Sequence, residues 1–370
     1  MTIHPHLKHI HPRINDLIPY QPGKTVSEIQ RTYGLNSVVK LASNENPLGC
    51  SPKAQLAAQN ACHDLASYPE DEAPKLKQTL AELLSIETNQ LTLGAGSSEI
   101  FDILLQVVMS HGGNMIVSQH AFFLYKVLAN SLGIDVKTAP DQNFQQDLDC
   151  ILNTIDSSTR LIILANPNNP TGTWVSYEKL SAFIANVPEH ITIVIDEAYH
   201  EYMQIFPDYG SVVPLIAKHP NLVVTRTFSK VYGLAGLRIG YGVTSAEMTN
   251  LLNRVRKAFN VSSLTLATAH AALLDQDFVQ QSITVNQQGL QQLSQAFTSM
   301  NLPMIESAAN FITIEVGEQA LTLAQQLLGQ GVIVRPLLPN QMLNHLRVSV
   351  GTTEQNNLFL EKFNHLYKPS

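Results

Sequence analysis

A lysine stands where an apolar run gives out. Leu222-Val223-Val224 has the composition of a buried strand, and the chain then turns polar at Thr225, Thr227 and Ser229 and reaches Lys230. Gly233, Gly236, Arg238 and Gly240 follow closely. Taking an amine out of water lowers its pKa and makes it a nucleophile, which is what a carbonyl cofactor held as a Schiff base requires. A strand-end lysine that snorkels to solvent is the plainer reading of this segment alone. The rest of the chain has to decide between them.

Other apolar runs end in the same way. Leu91-Thr92-Leu93 opens into Gly94-Ala95-Gly96-Ser97-Ser98-Glu99, ahead of an amphipathic helix predicted from Ile100 to Met109. Free N–H groups and the helix dipole make such a turn an anion site. Its spacing is neither a Walker loop nor the dinucleotide fingerprint, which counts against a nucleoside-triphosphate enzyme and a dehydrogenase. Met115-Ile116-Val117 ends shortly before Phe122, and Leu161 to Ala165 runs into Asn166-Pro167-Asn168-Asn169-Pro170-Thr171-Gly172. Ile191 to Ile195 delivers Asp196-Glu197-Ala198-Tyr199.

Strands that alternate with helices predict an α/β protein with a mostly parallel, doubly wound sheet. Ligands in such sheets sit beyond the carboxyl ends of the strands. The glycine loop, Phe122, Asn169, Asp196, Tyr199, Ser229, Lys230 and Arg238 should therefore converge. A phosphate cradle, an aromatic ring, a buried aspartate and a lysine together suit pyridoxal 5'-phosphate. Lys230 would hold its aldehyde, Asp196 would pair with the pyridine nitrogen, and Phe122 would stack on the ring. Tyr199 and Asn169 would bond the ring's 3′-oxygen. Thr227, Ser229 and Arg238 would join the Ala95-Gly96-Ser97 backbone on the phosphate. Freed by exchange with a substrate amine, Lys230 would move a proton as general base and acid.

At 370 residues the chain exceeds one typical core. The texture changes after about residue 250. Helices are expected at 251–258, 264–274, 286–299 (rich in glutamine) and 318–328, and a last one from Glu354. Strands are expected at 311–314, at Val332 to Val334 with Arg335-Pro336, and at His345 to Val350. We read residues 1–48 as an N-terminal arm and part of a smaller unit. Residues 49–262 form a large cofactor-binding domain and 263–370 a smaller α+β domain. Arg335 and Arg347 sit at strand positions, where a charge is costly unless paired, and could form an anion clamp.

A hydrophobic fraction of 44%, a charged fraction of 14% and a net charge of -7 describe a globular protein that does not bind nucleic acid in general. Cys50, Cys62 and Cys150 are widely spaced, which fits a reducing compartment. No run approaches the roughly eighteen apolar residues of a membrane span, and the N-terminus lacks the core of a signal peptide, so cytoplasm is expected. His4, His6, His9 and His11 crowd the start, but no cysteine or carboxylate joins them at ligand spacing, and no metal is expected.

Asn-Pro-Thr-Gly at 169–172, Asp-Glu-Ala-Tyr at 196–199, and Ser229-Lys230 with Arg238 eight residues beyond the lysine resemble the fold-type-I aminotransferases. Tyr20-Gln21-Pro22-Gly23-Lys24, Ser43-Asn44-Glu45-Asn46-Pro47, the 94–99 loop, Ala309-Asn310-Phe311 and Leu346 to Thr352 resemble the histidinol-phosphate aminotransferases among them. The likeness runs from about residue 20 to the C-terminus. It implies pyridoxal-phosphate fold type I, with a large domain and a smaller one. It also implies amino transfer between L-histidinol phosphate and 2-oxoglutarate, giving imidazole-acetol phosphate and L-glutamate, in histidine biosynthesis. By the same resemblance Arg335 and Arg347 bind the substrates' carboxylates and phosphate, with Tyr20, Asn44 and Asn310 near the substrate. It implies a homodimer, in which Tyr68 reaches the neighbour's cofactor phosphate. Phe122 stands where many members have tyrosine, which keeps the π-face and loses a hydroxyl.

Three other activities are compatible with parts of this pattern. An aromatic amino-acid aminotransferase and a phosphothreonine-type decarboxylase use the same cofactor motifs. A non-catalytic cofactor-binding module would be expected to carry an appended DNA-binding domain or to lack the lysine, and neither is seen.

Overall fold

The computed structural model describes residues 10–17 and 23–368. Its main sheet has seven strands. They are β1 (Leu91–Gly94), β2 (Asn114–Ser118), β3 (Asp135–Ala139), β4 (Thr159–Ala165), β5 (Thr192–Asp196), β6 (Leu222–Thr227) and β7 (Gly240–Val243), in the order β1-β7-β6-β5-β4-β2-β3. Neighbours from β6 to β3 are parallel, while β7 runs antiparallel to both β1 and β6.

Both faces of this sheet are covered. Along β4, Ile162 and Leu164 join one hydrophobic cluster while Leu161 and Ile163 join another on the opposite side. That split is the two-residue period of a strand, read out by helices on each face. Two helices position the site: α1 (Ser97–Val108), which starts directly after β1, and α2 (Phe123–Ser131), which follows β2.

β7 is not among the strands expected from sequence, because Gly240 and Gly242 interrupt its apolar pattern. The glycines are there for clearance. A Cβ on Gly240 would lie 2.5 Å from the Ser97 amide nitrogen and 2.8 Å from the Arg226 carbonyl oxygen. Only a glycine lets the start of α1 lie this close to the sheet.

A second, antiparallel sheet holds β8 (Met304–Ile305), β9 (Phe311–Glu315), β10 (Arg335–Leu337) and β11 (Met342–Ser349) in the order β8-β9-β11-β10. Its core gathers Leu293, Phe297, Ile312, Ile314, Leu346, Val348, Phe359 and Phe363, and it takes in Val39 and Leu41 from the start of the chain. The expected strand from Val332 through Pro336 is broken in two. Val332–Ile333 pairs in parallel with Val39–Lys40, whereas Arg335–Leu337 pairs with β11. Pro336 has no N–H to give a ladder, and β10 is accordingly an edge strand.

The glutamine-rich stretch belongs to a longer helix, α3 (Gln276–Ser299), which buries Val279, Ile283, Leu293 and Phe297. The helix expected at 251–258 instead spans Ala246–Val255, where the Ser245 hydroxyl caps it by accepting from the Met248 N–H. Arg256 then leaves the helix to hold Asp71.

Candidate active site

The carboxyl ends of β1, β2, β4, β5 and β6 lie along one edge of the main sheet, and the polar clusters follow from there. Asp196 closes β5 and is the register partner of Thr225 on β6. Thr225 Oγ1 donates to Asp196 Oδ1 at 3.0 Å, and Tyr125 reaches from α2 to donate its hydroxyl to Oδ2 at 2.6 Å. Burial pushes the Asp196 carboxyl up to about 6, against the pull of Tyr125, Thr225 and the Lys230 charge.

The next residue faces the other way, as strand geometry requires. Glu197 accepts from Arg226 Nε at 3.0 Å and Nη2 at 2.8 Å, and from the Val212 N–H at 2.9 Å. Burial opposes ionisation of Glu197, but the Arg226 charge wins and holds its pKa below the usual value. Of two adjacent acids, Glu197 is thus consumed by a buried ion pair, and Asp196 is the one that faces the cluster.

Lys230 lies three residues beyond β6, its Nζ 5.5 Å from the centre of the Tyr199 ring. Burial lowers its pKa to about 8, helped by the Arg347 charge and opposed by Asp196 and Glu45. A substantial fraction of the amine is therefore neutral near pH 8, unlike a solvated lysine. Tyr199 OH accepts from Asn44 Nδ2 at 2.9 Å and Asn169 Nδ2 at 3.2 Å. With both lone pairs occupied, the phenol's own proton is what remains to direct at a ligand. Burial pushes Tyr199 up to about 12, so that proton stays on at neutral pH.

Arg347 links this group to the small sheet. Its Nη1 donates to Asn169 Oδ1 at 2.6 Å, its Nη2 to the Ala42 carbonyl at 2.8 Å, and its guanidinium carbon lies 5.2 Å from the centre of the Phe311 ring. Asn310 Nδ2 donates to the Asn44 carbonyl at 2.9 Å. Asn44, expected beside the substrate, is instead a buried brace. Its side chain is shared between Tyr199 and the Ser349 hydroxyl, and its N–H also goes to Ser349.

Gly96 precedes α1 at φ +80°, and a Cβ there would lie 2.2 Å from Arg238 Nη2. Arg238 donates to the hydroxyls of Ser229 at 3.2 Å and Ser98 at 3.4 Å, and Ser229 in turn accepts from Thr227 Oγ1 at 2.9 Å. One guanidinium, several hydroxyls and a helix N-terminus thus meet around a glycine, a donor set made for a phosphate. Ala95 differs from expectation. Its N–H donates to Glu99 Oε2 at 2.6 Å, and Asn260 holds the same oxygen at 2.7 Å. The Gly96 N–H is taken by the Gly94 carbonyl, so the N–H groups of the helix end begin at Ser97.

Phe122 immediately precedes α2 and meets Tyr125 edge to face at 5.6 Å. Of the remaining expected residues, only Tyr68 is seen to stand apart from the cluster within this chain. Tyr20 lies outside the described residues. Tyr68 is 82% exposed and stacks on Phe259 at 4.7 Å, in a loop pinned where Asp71 accepts from Arg256 at 3.0 and 2.7 Å. Arg335, on β10, stands opposite Arg347 and lies near Gly23. Among the described residues no group of three or more His, Cys, Asp or Glu is placed to hold a metal ion, and no helix is long and apolar enough to cross a membrane.

Tyr125 and Thr225 were missed from sequence, although each left a signal. Thr225 and Thr227 alternate on β6 and so share the face of Asp196. Tyr125 is three residues past Phe122, one helical turn away.

A phosphate cradle, a buried carboxylate held by two neutral donors and a lysine of lowered pKa fit pyridoxal phosphate in every part. Comparison with known proteins agrees. Residues 36–363 match the model of the family described as aminotransferase class I and II. The chain is 46% identical over 348 residues to "Histidinol-phosphate aminotransferase 1" of Nitrosococcus oceani, covering 94% of each chain. It is 46% identical over 356 residues to "Histidinol-phosphate aminotransferase 2" of Pseudomonas fluorescens, covering 95% of each. Its fold is similar to that of the histidinol-phosphate aminotransferase of Sinorhizobium meliloti, solved in complex with pyridoxal-5'-phosphate, with a TM-score of 0.86 at 26% identity over 97% of this chain and 98% of that one.

Proposed function

The chain belongs to the class I and II aminotransferase family, and from that premise we propose that it is the histidinol-phosphate transaminase of L-histidine biosynthesis. The enzyme moves an amino group between L-histidinol phosphate and 2-oxoglutarate, giving imidazole-acetol phosphate and L-glutamate, with pyridoxal phosphate as cofactor. The observation that carries this reading is the meeting of Lys230, Asp196 and the Arg238 cradle at one sheet edge, with two arginines of the small sheet beside it.

When bound, the cofactor serves as an electron sink for the bonds at the substrate's α-carbon. The chain's residues would do the rest. Ser97, Thr227, Ser229 and Arg238 would hold the phosphate over the clearance that Gly96 leaves, and Phe122 would cover the ring. Asp196 presents an anion to the pyridine nitrogen, and Tyr199 with Asn169 donates to the 3′-oxygen. Lys230 supplies the amine that anchors the cofactor. The same Nζ would move the proton at the substrate's α-carbon, a task that its lowered pKa suits near neutral pH.

Arg335 and Arg347 receive the anionic ends of both substrates, with Asn310 and Tyr20 nearby. Carboxylate and phosphate offer similar oxygen pairs, so one set of guanidinium forks serves both. Asn44 acts through Tyr199.

The same reading makes residues 49–262 the cofactor-binding unit and 263–370 a smaller unit that residues 1–48 join, as the shared core of Val39 and Leu41 supports. It makes the active species a homodimer in which exposed Tyr68 reaches the neighbour's cofactor phosphate. A cytoplasmic location fits the three unpaired thiols. The test is glutamate formation from L-histidinol phosphate and 2-oxoglutarate by the purified, cofactor-loaded protein. Robust formation is expected, with loss of several orders of magnitude in Lys230→Ala; no glutamate from the native protein would sink the proposal.

A further inference from the structure

Tyr125 heads the largest side chains that are completely buried among the described residues. Its position on α2 is a core position, and a phenylalanine would fill it without a polar atom to satisfy. A buried hydroxyl is costly unless it finds an acceptor. The acceptor it finds is Asp196 Oδ2, at 2.6 Å.

The rest of the side chain is placed with equal definition. The Tyr125 ring meets Phe122 at 5.6 Å and 85°, and Phe101 at 4.9 Å and 71°, both edge to face. One residue therefore touches both the ring expected over the cofactor's face and the carboxylate expected at its nitrogen. We propose that Tyr125 is a positioning residue for the transamination, its hydroxyl holding Asp196 ionised and aimed at the pyridine nitrogen while its ring sets the tilt of Phe122. This rests on the reading of Asp196 and Phe122 as cofactor-binding residues.

The groups that face Asp196 can be named by element. Tyr125 comes from α2 and Thr225 from β6, Lys230 follows β6, and the Ala198 N–H and Tyr199 follow on its own segment. Burial raises the Asp196 pKa, and the two hydroxyls and the amine draw it back down. Removing the Tyr125 hydroxyl leaves burial less opposed, so the pKa rises further. Asp196 would then be protonated over a wider acid range, and an uncharged acid no longer favours a protonated pyridine. Cofactor affinity should thus fail at a higher pH than in the native protein.

The experiment titrates pyridoxal phosphate into apoprotein from pH 5 to 9, following absorbance, for the native chain and for Tyr125→Phe, Thr225→Val and Asp196→Ala. Apoprotein melting is recorded alongside. Tyr125→Phe should move the acid limb of affinity up by about one pH unit, with about threefold weaker binding near pH 6.5, about tenfold weaker binding near pH 5 and little change at pH 9. Thr225→Val, which removes the donor to the other oxygen, should shift the limb in the same direction. A Tyr125→Phe profile that superimposes on the native one, or is uniformly weaker at every pH, would overturn the proposal. If that variant melts too low to titrate, an unshifted Thr225→Val profile does so instead. Asp196→Ala distinguishes a failure of the cofactor site from a failure of Tyr125's role. If it binds with the native pH dependence, the cofactor-site reading itself fails; if it removes the limb while Tyr125→Phe does not move it, only the role of Tyr125 fails.

Discussion

Arg335 and Arg347 are direct register partners across β10 and β11, two like charges side by side on an antiparallel pair. Like charges in that position repel, so the pair is a liability to the fold unless an anion arrives between them. Arg347 is tied to Asn169 and the Ala42 carbonyl, whereas Arg335 is only partly buried. Arg335→Leu should accordingly leave the melting temperature unchanged or raise it, by the equivalent of about 0.2–1 kcal/mol. The same change should raise KM for both L-histidinol phosphate and glutamate by about tenfold or more. Calorimetry and steady-state kinetics check both halves. A lower melting temperature with unchanged KM would mean that the arginine serves the fold.

Lys230 carries a pKa lowered to about 8 from 10.5, with burial as the main cause. Below that value the amine is charged and inert, and above it the neutral nucleophile predominates. Acetylation of apoprotein with a limiting reagent, mapped by mass spectrometry, should therefore show Lys230 reaching half its maximal rate near pH 8. Exposed lysines such as Lys24 should still be gaining reactivity beyond pH 9.

Gly96 sits at φ +80°, and an added Cβ would overlap Arg238 Nη2. Gly96→Ala should cost about 1–3 kcal/mol from the backbone conformation alone. It should also displace the guanidinium from the cradle. Inorganic phosphate should raise the melting temperature of native apoprotein and do so far less in the variant. An equal rise in both would place the phosphate elsewhere.

Tyr68 is exposed within its own chain, held up by its stack on Phe259 and by the Asp71–Arg256 pair. If it serves the neighbouring site, hybrids of Tyr68→Ala and Lys230→Ala subunits contain one intact site. Such hybrids should recover roughly half the activity of a native dimer. Activity no higher than that of Tyr68→Ala alone would show that Tyr68 acts within its own subunit, or not at all.

Much of the site was legible because parallel strands export their last residues to one edge. Asp196, Tyr199, Ser229 and Lys230 could be read from where apolar runs stop. Contacts made across elements were harder to read. Tyr125 looks like an ordinary helix residue until α2 is laid beside β5, and Asn44 looks like a ligand contact until its side chain is seen shared by Tyr199 and Ser349. β7 was missed because the glycines that admit α1 also erase the strand's apolar pattern. Ala95 was placed on the phosphate because a glycine loop does not reveal which of its N–H groups a nearby acid such as Glu99 will take.

The choice of amino donor decides between the proposed transaminase and its rivals. Purified, cofactor-loaded protein is assayed with 2-oxoglutarate and L-histidinol phosphate, L-phenylalanine or O-phosphothreonine, comparing kcat/KM and following release of carbon dioxide. L-Histidinol phosphate should give the highest kcat/KM, and O-phosphothreonine should release no carbon dioxide. A higher kcat/KM for phenylalanine, or decarboxylation of the phosphothreonine, would contradict the proposed function.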